Sequence, residues 1–178
     1  NVTLPYKQKI IHHIDKVVND AVSTGSVNTV LLDNNKTVIG ENTDVFGLQA
    51  AYLKEIDNSI SKKVLIIGAG GVSPSVILSI QKLGIRNISI TNRTNEKCIF
   101  LKKKFKSLNI IPWLSLEDKI KEFDIIINAT SLGLKHGEDF SFNFANTKNE
   151  LVYIDTIYNP LETKTYKFLK DEGRKVFN

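Results

Sequence analysis

Lys63-Val64-Leu65-Ile66-Ile67-Gly68-Ala69-Gly70-Gly71-Val72-Ser73 reads as a strand, a tight turn and the start of a helix. Val64 to Ile67 are apolar without a break and mostly β-branched, the composition of a strand buried on both faces of a parallel sheet. Glycines follow at once, and Val72, Val76, Ile77, Ile80 and Leu83 then recur at helical spacing. Such a turn lets the backbone approach a pyrophosphate, while the helix N-terminus offers free N–H groups and the positive end of its dipole. The third fingerprint position is Ser73, giving G-x-G-x-x-S. A glycine turn with no ligand has the same local pattern, so the flanking chain has to decide.

The next strand, Asn87 to Thr91, ends at Asn92-Arg93-Thr94. In the dinucleotide-binding fold this strand tip meets the adenosine ribose, where an NAD site places an acidic residue on the 2′-hydroxyl. An arginine between two small polar residues suits a 2′-phosphate instead; the competing reading is an ordinary surface arginine on a loop. Further strands are expected at 109–112, 124–128, 151–155 and 174–177, with helices at 72–83, 95–107, 115–121 and 162–172. This alternation predicts an α/β fold, a Rossmann-like doubly wound parallel sheet whose strand C-termini form one ligand-binding edge. Asn128-Ala129-Thr130-Ser131 and Asp155-Thr156-Ile157-Tyr158 open on that same edge.

The first third of the chain has a different rhythm. Residues 1–5 read as a short strand closing at Pro5, and 7–22 as a helix broken near Asp15. Residues 27–32 and 37–40 read as a hairpin around Asp33-Asn34-Asn35-Lys36. Asn42-Thr43-Asp44 opens a helix carrying Phe46, Leu48, Leu53 and Ile56, with Thr43 or Asp44 as its cap. A polar break around Asp57-Asn58-Ser59 follows. The expected division is a partial smaller α/β domain at 1–43, a linking helix and break at 44–61, and the nucleotide-binding domain at 62–178.

Composition narrows the class. With 42% hydrophobic and 24% charged residues the 178-residue chain is expected to be globular. No apolar run reaches the length of a membrane span, so no membrane partner is expected. The opening Asn1-Val2-Thr3-Leu4-Pro5 has neither an initiating Met nor the features of a signal peptide, and reads as a start within a protein. The single cysteine, Cys98, excludes an internal disulfide and suits packing in a reducing, cytoplasmic compartment. The net charge of +5 is spread over helix faces such as Lys102-Lys103-Lys104-Lys106, with no nucleic-acid motif.

Outside the glycine turn, Lys7 and Asp44 each follow a short strand and can face one pocket. A lysine held by a carboxylate can move a proton, although composition alone favours a surface lysine and an N-cap. Asn28 can hydrogen-bond a polyol or simply a turn. His12 and His13 point to different sides of a helix with no further ligand at metal spacing, and His136 sits in a loop, so no metal site is expected.

The order of these segments resembles the shikimate dehydrogenase family. Asn1-Val2-Thr3-Leu4-Pro5-Tyr6-Lys7, Gly25-Ser26-Val27-Asn28-Thr29 and Asn42-Thr43-Asp44 carry the resemblance first. Gly68-Ala69-Gly70-Gly71-Val72-Ser73, Asn92-Arg93-Thr94, Asn128-Ala129-Thr130-Ser131 and Asp155-Thr156-Ile157-Tyr158 complete it. It implies NADP-dependent, reversible reduction of 3-dehydroshikimate to shikimate. It implies Lys7 as general acid/base beside Asp44, with Thr3, Asn28, Asp44 and Tyr158 on the substrate. Gly68, Gly70, Gly71 and Val72 would form the pyrophosphate turn, Asn92, Arg93 and Thr94 would take the 2′-phosphate, and Thr130 and Ser131 would lie near the nicotinamide. Val45 stands where the family usually has glycine, and the family's N-terminal serine motif and C-terminal glutamine would fall outside residues 1–178. A non-catalytic nucleotide-binding module and an NAD-using quinate/shikimate enzyme remain as alternatives, and the sequence leaves a homodimer open.

Overall fold

The computed structural model describes residues 1–3, 5–52, 56, 60–135 and 137–178. The expectations for Leu4, Leu53, Asp57-Asn58-Ser59 and His136 therefore lie outside the described residues.

The first third departs most from expectation. Residues 1–3 form no strand; Val2 makes one backbone bond to the Asn28 carbonyl, and the chain turns after Pro5. The helix expected over 7–22 is replaced by three pieces. A 3-10 turn spans Lys9–His13, strand β1 spans Lys16–Val17 and helix α1 spans Asp20–Thr24. Ile10, Ile11, Ile14, Val17 and Val18 do recur at helical spacing, but β-branched residues also favour extended backbone. The partner decides: β1 lies parallel to strand β3, Val38–Glu41, and the Asp15 carboxylate accepts from the Val38 N–H at 2.8 Å. β3 in turn pairs antiparallel with β2, Thr29–Leu32, giving the expected hairpin shifted by one or two residues. Asp33 closes its turn by accepting from the Asn35 and Thr37 N–H groups.

Helix α2 spans Asp44–Ala51. Neither Thr43 nor Asp44 caps it through its side chain. Asn42 does so instead, its Oδ1 accepting from the Asp44 and Val45 N–H groups at 3.0 and 3.4 Å. Val45 is fully buried on this helix, where a glycine would leave its space unfilled.

The remainder is one parallel sheet. Its strands are β4 (Val64–Ile67), β5 (Ile88–Thr91), β6 (Asn109–Ile110), β7 (Ile125–Asn128), β8 (Val152–Asp155) and β9 (Lys175–Phe177). They lie in the order β6-β5-β4-β7-β8-β9, every neighbouring pair parallel. The order runs outward in both directions from the β4–β7 boundary, so the turn after β4 sits at the point of reversal, where open α/β sheets bind ligands. β6 is shorter than the expected 109–112 because Pro112 has no N–H for the ladder.

Both faces of the sheet are covered, as the alternating pattern requires. Helices α3 (Ser73–Lys82) and α4 (Asn95–Lys104) bring Val76, Ile80, Cys98 and Leu101 onto Ile66, Ile88 and Ile90. Helices α5 (Leu116–Lys119) and α6 (Lys164–Asp171) bring Leu116 and Leu169 onto Leu65, Ile67 and Tyr153 on the other face. Burial pushes the Cys98 thiol up to about 11, as befits a packing residue. Lys102, Lys103, Lys104 and Lys106 are exposed.

Candidate active site

The turn after β4 is built by three side-chain or backbone devices. Gly68 has φ +113°, and a Cβ there would lie 2.6 Å from the Ala129 carbonyl oxygen at the end of β7. It is therefore the glycine demanded by close packing. Ser73, fully buried, accepts from the Gly70 N–H at 2.9 Å and donates to the Gly68 carbonyl at 3.0 Å, so serine at the third fingerprint position ties the turn shut. Asn92 accepts from the Ala69 N–H at 3.2 Å and fastens the turn to the tip of β5. The Gly68 N–H donates to the Thr91 carbonyl. Among the described residues this leaves the N–H groups of Gly71 and Val72 without an acceptor, immediately ahead of α3. Side chains built at Gly70 and Gly71 would find nothing closer than 4.0 and 3.8 Å, so the backbone there is open to a close-approaching phosphate. The residues present thus fit a dinucleotide pyrophosphate.

Across this turn stands a charged pair. Lys7 follows the Pro5 turn, and its backbone carbonyl is fixed by the Val27 N–H. Its Nζ donates to Asp44 Oδ2 at 2.7 Å, with both side chains mostly but not fully removed from solvent. Asp44 is the first residue of α2, where the helix dipole favours a carboxylate. Its other oxygen, Oδ1, accepts from Asn28 Nδ2 at 2.7 Å, and Asn28 Oδ1 accepts from the Thr43 N–H at 3.0 Å. The Lys7 Cβ is also the nearest neighbour of a Cβ built on Gly71. The pair and the phosphate-ready turn are therefore close neighbours that line the same cavity.

Both border a cleft of about 900 Å³. Thr3, Lys7, Asp44, Gly68, Gly70, Gly71, Val72, Asn92, Arg93, Thr130, Ser131 and Tyr158, all named above from the sequence, line it. Asn28 does not line it and acts on Asp44 from behind. Thr94 is the N-cap residue of α4 and also stays off the lining. Lys97, Trp113 and Tyr52 are lining residues that the sequence reading missed. Lys97 lies in the first turn of α4, four residues after Arg93, and adds a second cation to the cleft lining.

A buried polar pair shapes the opposite wall. Asn128 and Asp155 are register partners on β7 and β8, both essentially inaccessible to solvent. Asn128 donates to Asp155 Oδ1 at 3.0 Å and accepts from the Thr130 N–H and hydroxyl at 3.0 and 2.7 Å. Asp155 accepts further from the Ile157 N–H and from Thr163, the residue that caps α6. Burial holds the Asp155 carboxyl above the ordinary aspartate value, against the hydrogen bonds that pull it down. These two side chains define the loops that carry Thr130, Ser131 and the exposed Tyr158. Among the described residues no group of His, Cys, Asp and Glu is placed to hold a metal ion, and no helix is long and apolar enough to cross a membrane.

A reversal-point glycine turn with two free N–H groups, beside a lysine–carboxylate pair formed by the turn after Pro5 and the start of α2, defines a dinucleotide-binding class of α/β protein. Comparison with known proteins narrows the class. Residues 51–164 match the family described as shikimate / quinate 5-dehydrogenase, and residues 1–30 match the shikimate dehydrogenase substrate binding domain. The chain belongs to the shikimate/quinate dehydrogenase family. It is 41% identical over 173 residues to the shikimate dehydrogenase (NADP(+)) of Pelagibacter ubique, covering 97% of this chain and 63% of that protein. The crystal structure of shikimate dehydrogenase from Aquifex aeolicus superposes with a TM-score of 0.89 at 39% identity, covering 99% of this chain and 64% of that one. The Thermus thermophilus enzyme in complex with NADP(H) and shikimate gives a TM-score of 0.83 at 30% identity, with the same coverage of 99% and 64%. The chain thus spans a little under two thirds of the length of these relatives.

Proposed function

We propose that the protein catalyses the reversible, NADP-dependent reduction of 3-dehydroshikimate to shikimate. The observation that carries this reading is the Lys7–Asp44 ion pair set against Gly71 at the mouth of the phosphate-ready turn. NADPH, when bound, supplies the hydride that reaches the carbonyl carbon. As that carbon is reduced, its oxygen gains charge and needs a proton; the Lys7 ammonium donates it, and in the reverse direction Lys7 takes the proton from the hydroxyl. Asp44 orients the ammonium and accepts from a substrate hydroxyl, and Asn28 fixes Asp44. Thr3 and Tyr158 contact the substrate from the two sides of the cleft. The Gly71 and Val72 N–H groups take the pyrophosphate, with Gly68 and Gly70 giving the turn its shape. Arg93 takes the 2′-phosphate with Asn92 and Thr94 at its base, and Thr130 and Ser131 border the nicotinamide side.

In this reading residues 1–43 belong to the substrate-binding domain, 44–61 link it, and 62–178 form the NADP-binding domain. A reducing cytoplasm suits the buried thiol of Cys98. Arg93 at the strand tip favours NADP over NAD and so distinguishes this reading from an NAD-using quinate enzyme.

The test is NADP reduction by shikimate, followed at the nicotinamide absorbance, on the product of the complete reading frame and on its Lys7→Ala form. The expected loss in Lys7→Ala is on the order of 10²–10⁴-fold in kcat with NADP binding retained. A folded protein that binds NADP but oxidises neither shikimate nor quinate would leave a non-catalytic nucleotide-binding module as the correct description.

A further inference from the structure

The proton-transfer pair and the glycine turn come from different parts of the chain, yet the reading above requires them to be held in register. The structure contains a buried seam that does this. Asn42, 4% exposed, accepts through Oδ1 from the backbone N–H of Asp44 itself, at 3.0 Å. Its Nδ2 donates to the Ser26 carbonyl at 2.8 Å and to Ser75 Oγ at 3.0 Å. Ser75 is fully buried in the first turn of α3, two residues after the serine that closes the glycine turn. Ser26, also fully buried, donates through Oγ to the carbonyl of Gly71 at 3.1 Å. The Gly71 carbonyl is thus anchored by Ser26 while Gly71 itself lines the cleft. None of the three side chains lines the cleft.

We propose that Asn42, Ser26 and Ser75 are positioning residues that register the Lys7–Asp44 pair against the cofactor turn. The proposal rests on the dehydrogenase reading and assigns these residues no contact with substrate or cofactor. Every buried polar side-chain atom in the seam has a partner, so loss of one hydroxyl loosens the register without opening the fold. Ser75→Ala is the cleanest probe. Alanine is the better helix former, which offsets part of the lost hydrogen bond, and the melting temperature is expected to stay near wild type.

The experiment measures shikimate oxidation, NADP affinity and amide exchange on the product of the complete reading frame. NADP affinity is read by titration calorimetry. In Ser75→Ala, kcat is expected to fall about tenfold while KM for shikimate and NADP affinity stay within about threefold, a loss of ~1.4 kcal/mol confined to the transition state. The primary isotope effect with shikimate deuterated at the reacting carbon rises as the hydride step becomes limiting. The backbone amides of Asp44 and Val45 exchange faster than in wild type, with or without NADP. Ser26→Ala is expected to behave alike, and Asn42→Asp, which keeps the helix cap but loses both donors, to fall further. Unchanged kcat and unchanged exchange at Asp44 and Val45 in Ser75→Ala would overturn the proposal, as would a drop in melting temperature that accounts for the whole loss. If the wild type itself shows no turnover, the functional reading fails, while the exchange rates at Asp44 and Val45 still decide whether the seam holds them.

Discussion

Gly68 and Gly71 of the turn after β4 are expected to separate cleanly on mutation. Gly68→Ala places a Cβ 2.6 and 2.7 Å from the backbone oxygen and carbon of Ala129 and 2.8 Å from Thr130 Cγ2. Neither Ala129 atom can rotate away, because both are backbone atoms of the residue that follows β7 and is held by its N–H to the Ile67 carbonyl. The φ of +113° adds a backbone conformation that alanine rarely adopts, which costs roughly 1–3 kcal/mol. The overlap adds roughly another 1–3 kcal/mol as an over-packed site. A total of about 2–6 kcal/mol corresponds to a fall in Tm of roughly 5–20 °C for a chain of this size. Gly71→Ala meets nothing nearer than the Lys7 Cβ at 3.8 Å and carries no positive φ. Its stability is expected within about 0.5 kcal/mol of wild type, but its new methyl group stands beside the free N–H groups and lowers NADP affinity about tenfold or more, ~1.4 kcal/mol. Thermal melting followed by circular dichroism, with NADP titration on each variant, measures both. A Gly68→Ala protein that melts with wild type, or a Gly71→Ala protein that is the one to unfold, would refute the packing argument.

Other expectations follow from particular contacts. Asp124 is pulled up by burial, but hydrogen bonds from Lys148 and the Lys63 N–H outweigh this and hold it below the ordinary aspartate value. Its contribution is therefore present above about pH 4 and is lost as pH falls through the folded value; comparing urea midpoints of wild type and Asp124→Asn at about pH 5 and about pH 3 should show the gap closing in acid. Cys98, buried and pushed up to about 11, should resist iodoacetamide at about pH 8 until the protein is unfolded, and stoichiometric labelling of the native state within minutes would contradict its packing role. Thr163→Ala removes both the side-chain cap of α6 and the 2.7 Å donor to Asp155. It is expected to cost roughly 2–3 kcal/mol, while Thr163→Ser keeps the hydroxyl and should melt near wild type.

The large sheet was legible because its strands are nearly continuous runs of β-branched residues with helical spacing between them. Val64–Ile67 and Ile125–Ile127 admit one reading once length and flanking turns are considered. The stretch 7–22 was not, because the same isoleucines and valines fit a helix or an edge strand, and only β3, some twenty residues further on, selects the strand. The site divides in the same way. Glycines 68, 70 and 71 and Arg93 could be picked out by residue type and position, whereas the Lys7–Asp44 pair, which composition alone would leave as a surface lysine and an N-cap, was singled out by the family resemblance. Asn42 as the cap of α2, Asn28 behind Asp44, and Asn128 with Asp155 could not, because each acts through a register between segments that sequence spacing does not reveal. Thr94 was named from its neighbours in the motif and stands at the start of α4 beside Arg93.

The two sheets differ in how they end. β6 offers only two residues at its edge before Pro112, so another chain has almost no ladder to extend. β2 is also an outermost strand, but it runs for four residues with Leu31 and Leu32 exposed upon it, 49% and 68%. Among the described residues no strand pairs with the outer edge of β2, and an unpaired edge beside exposed leucines is a template for strand addition; residues 1–178 expressed alone should therefore self-associate through the small sheet in concentrated solution, and a lysine in place of Leu32 should suppress it while leaving the nucleotide-binding half untouched.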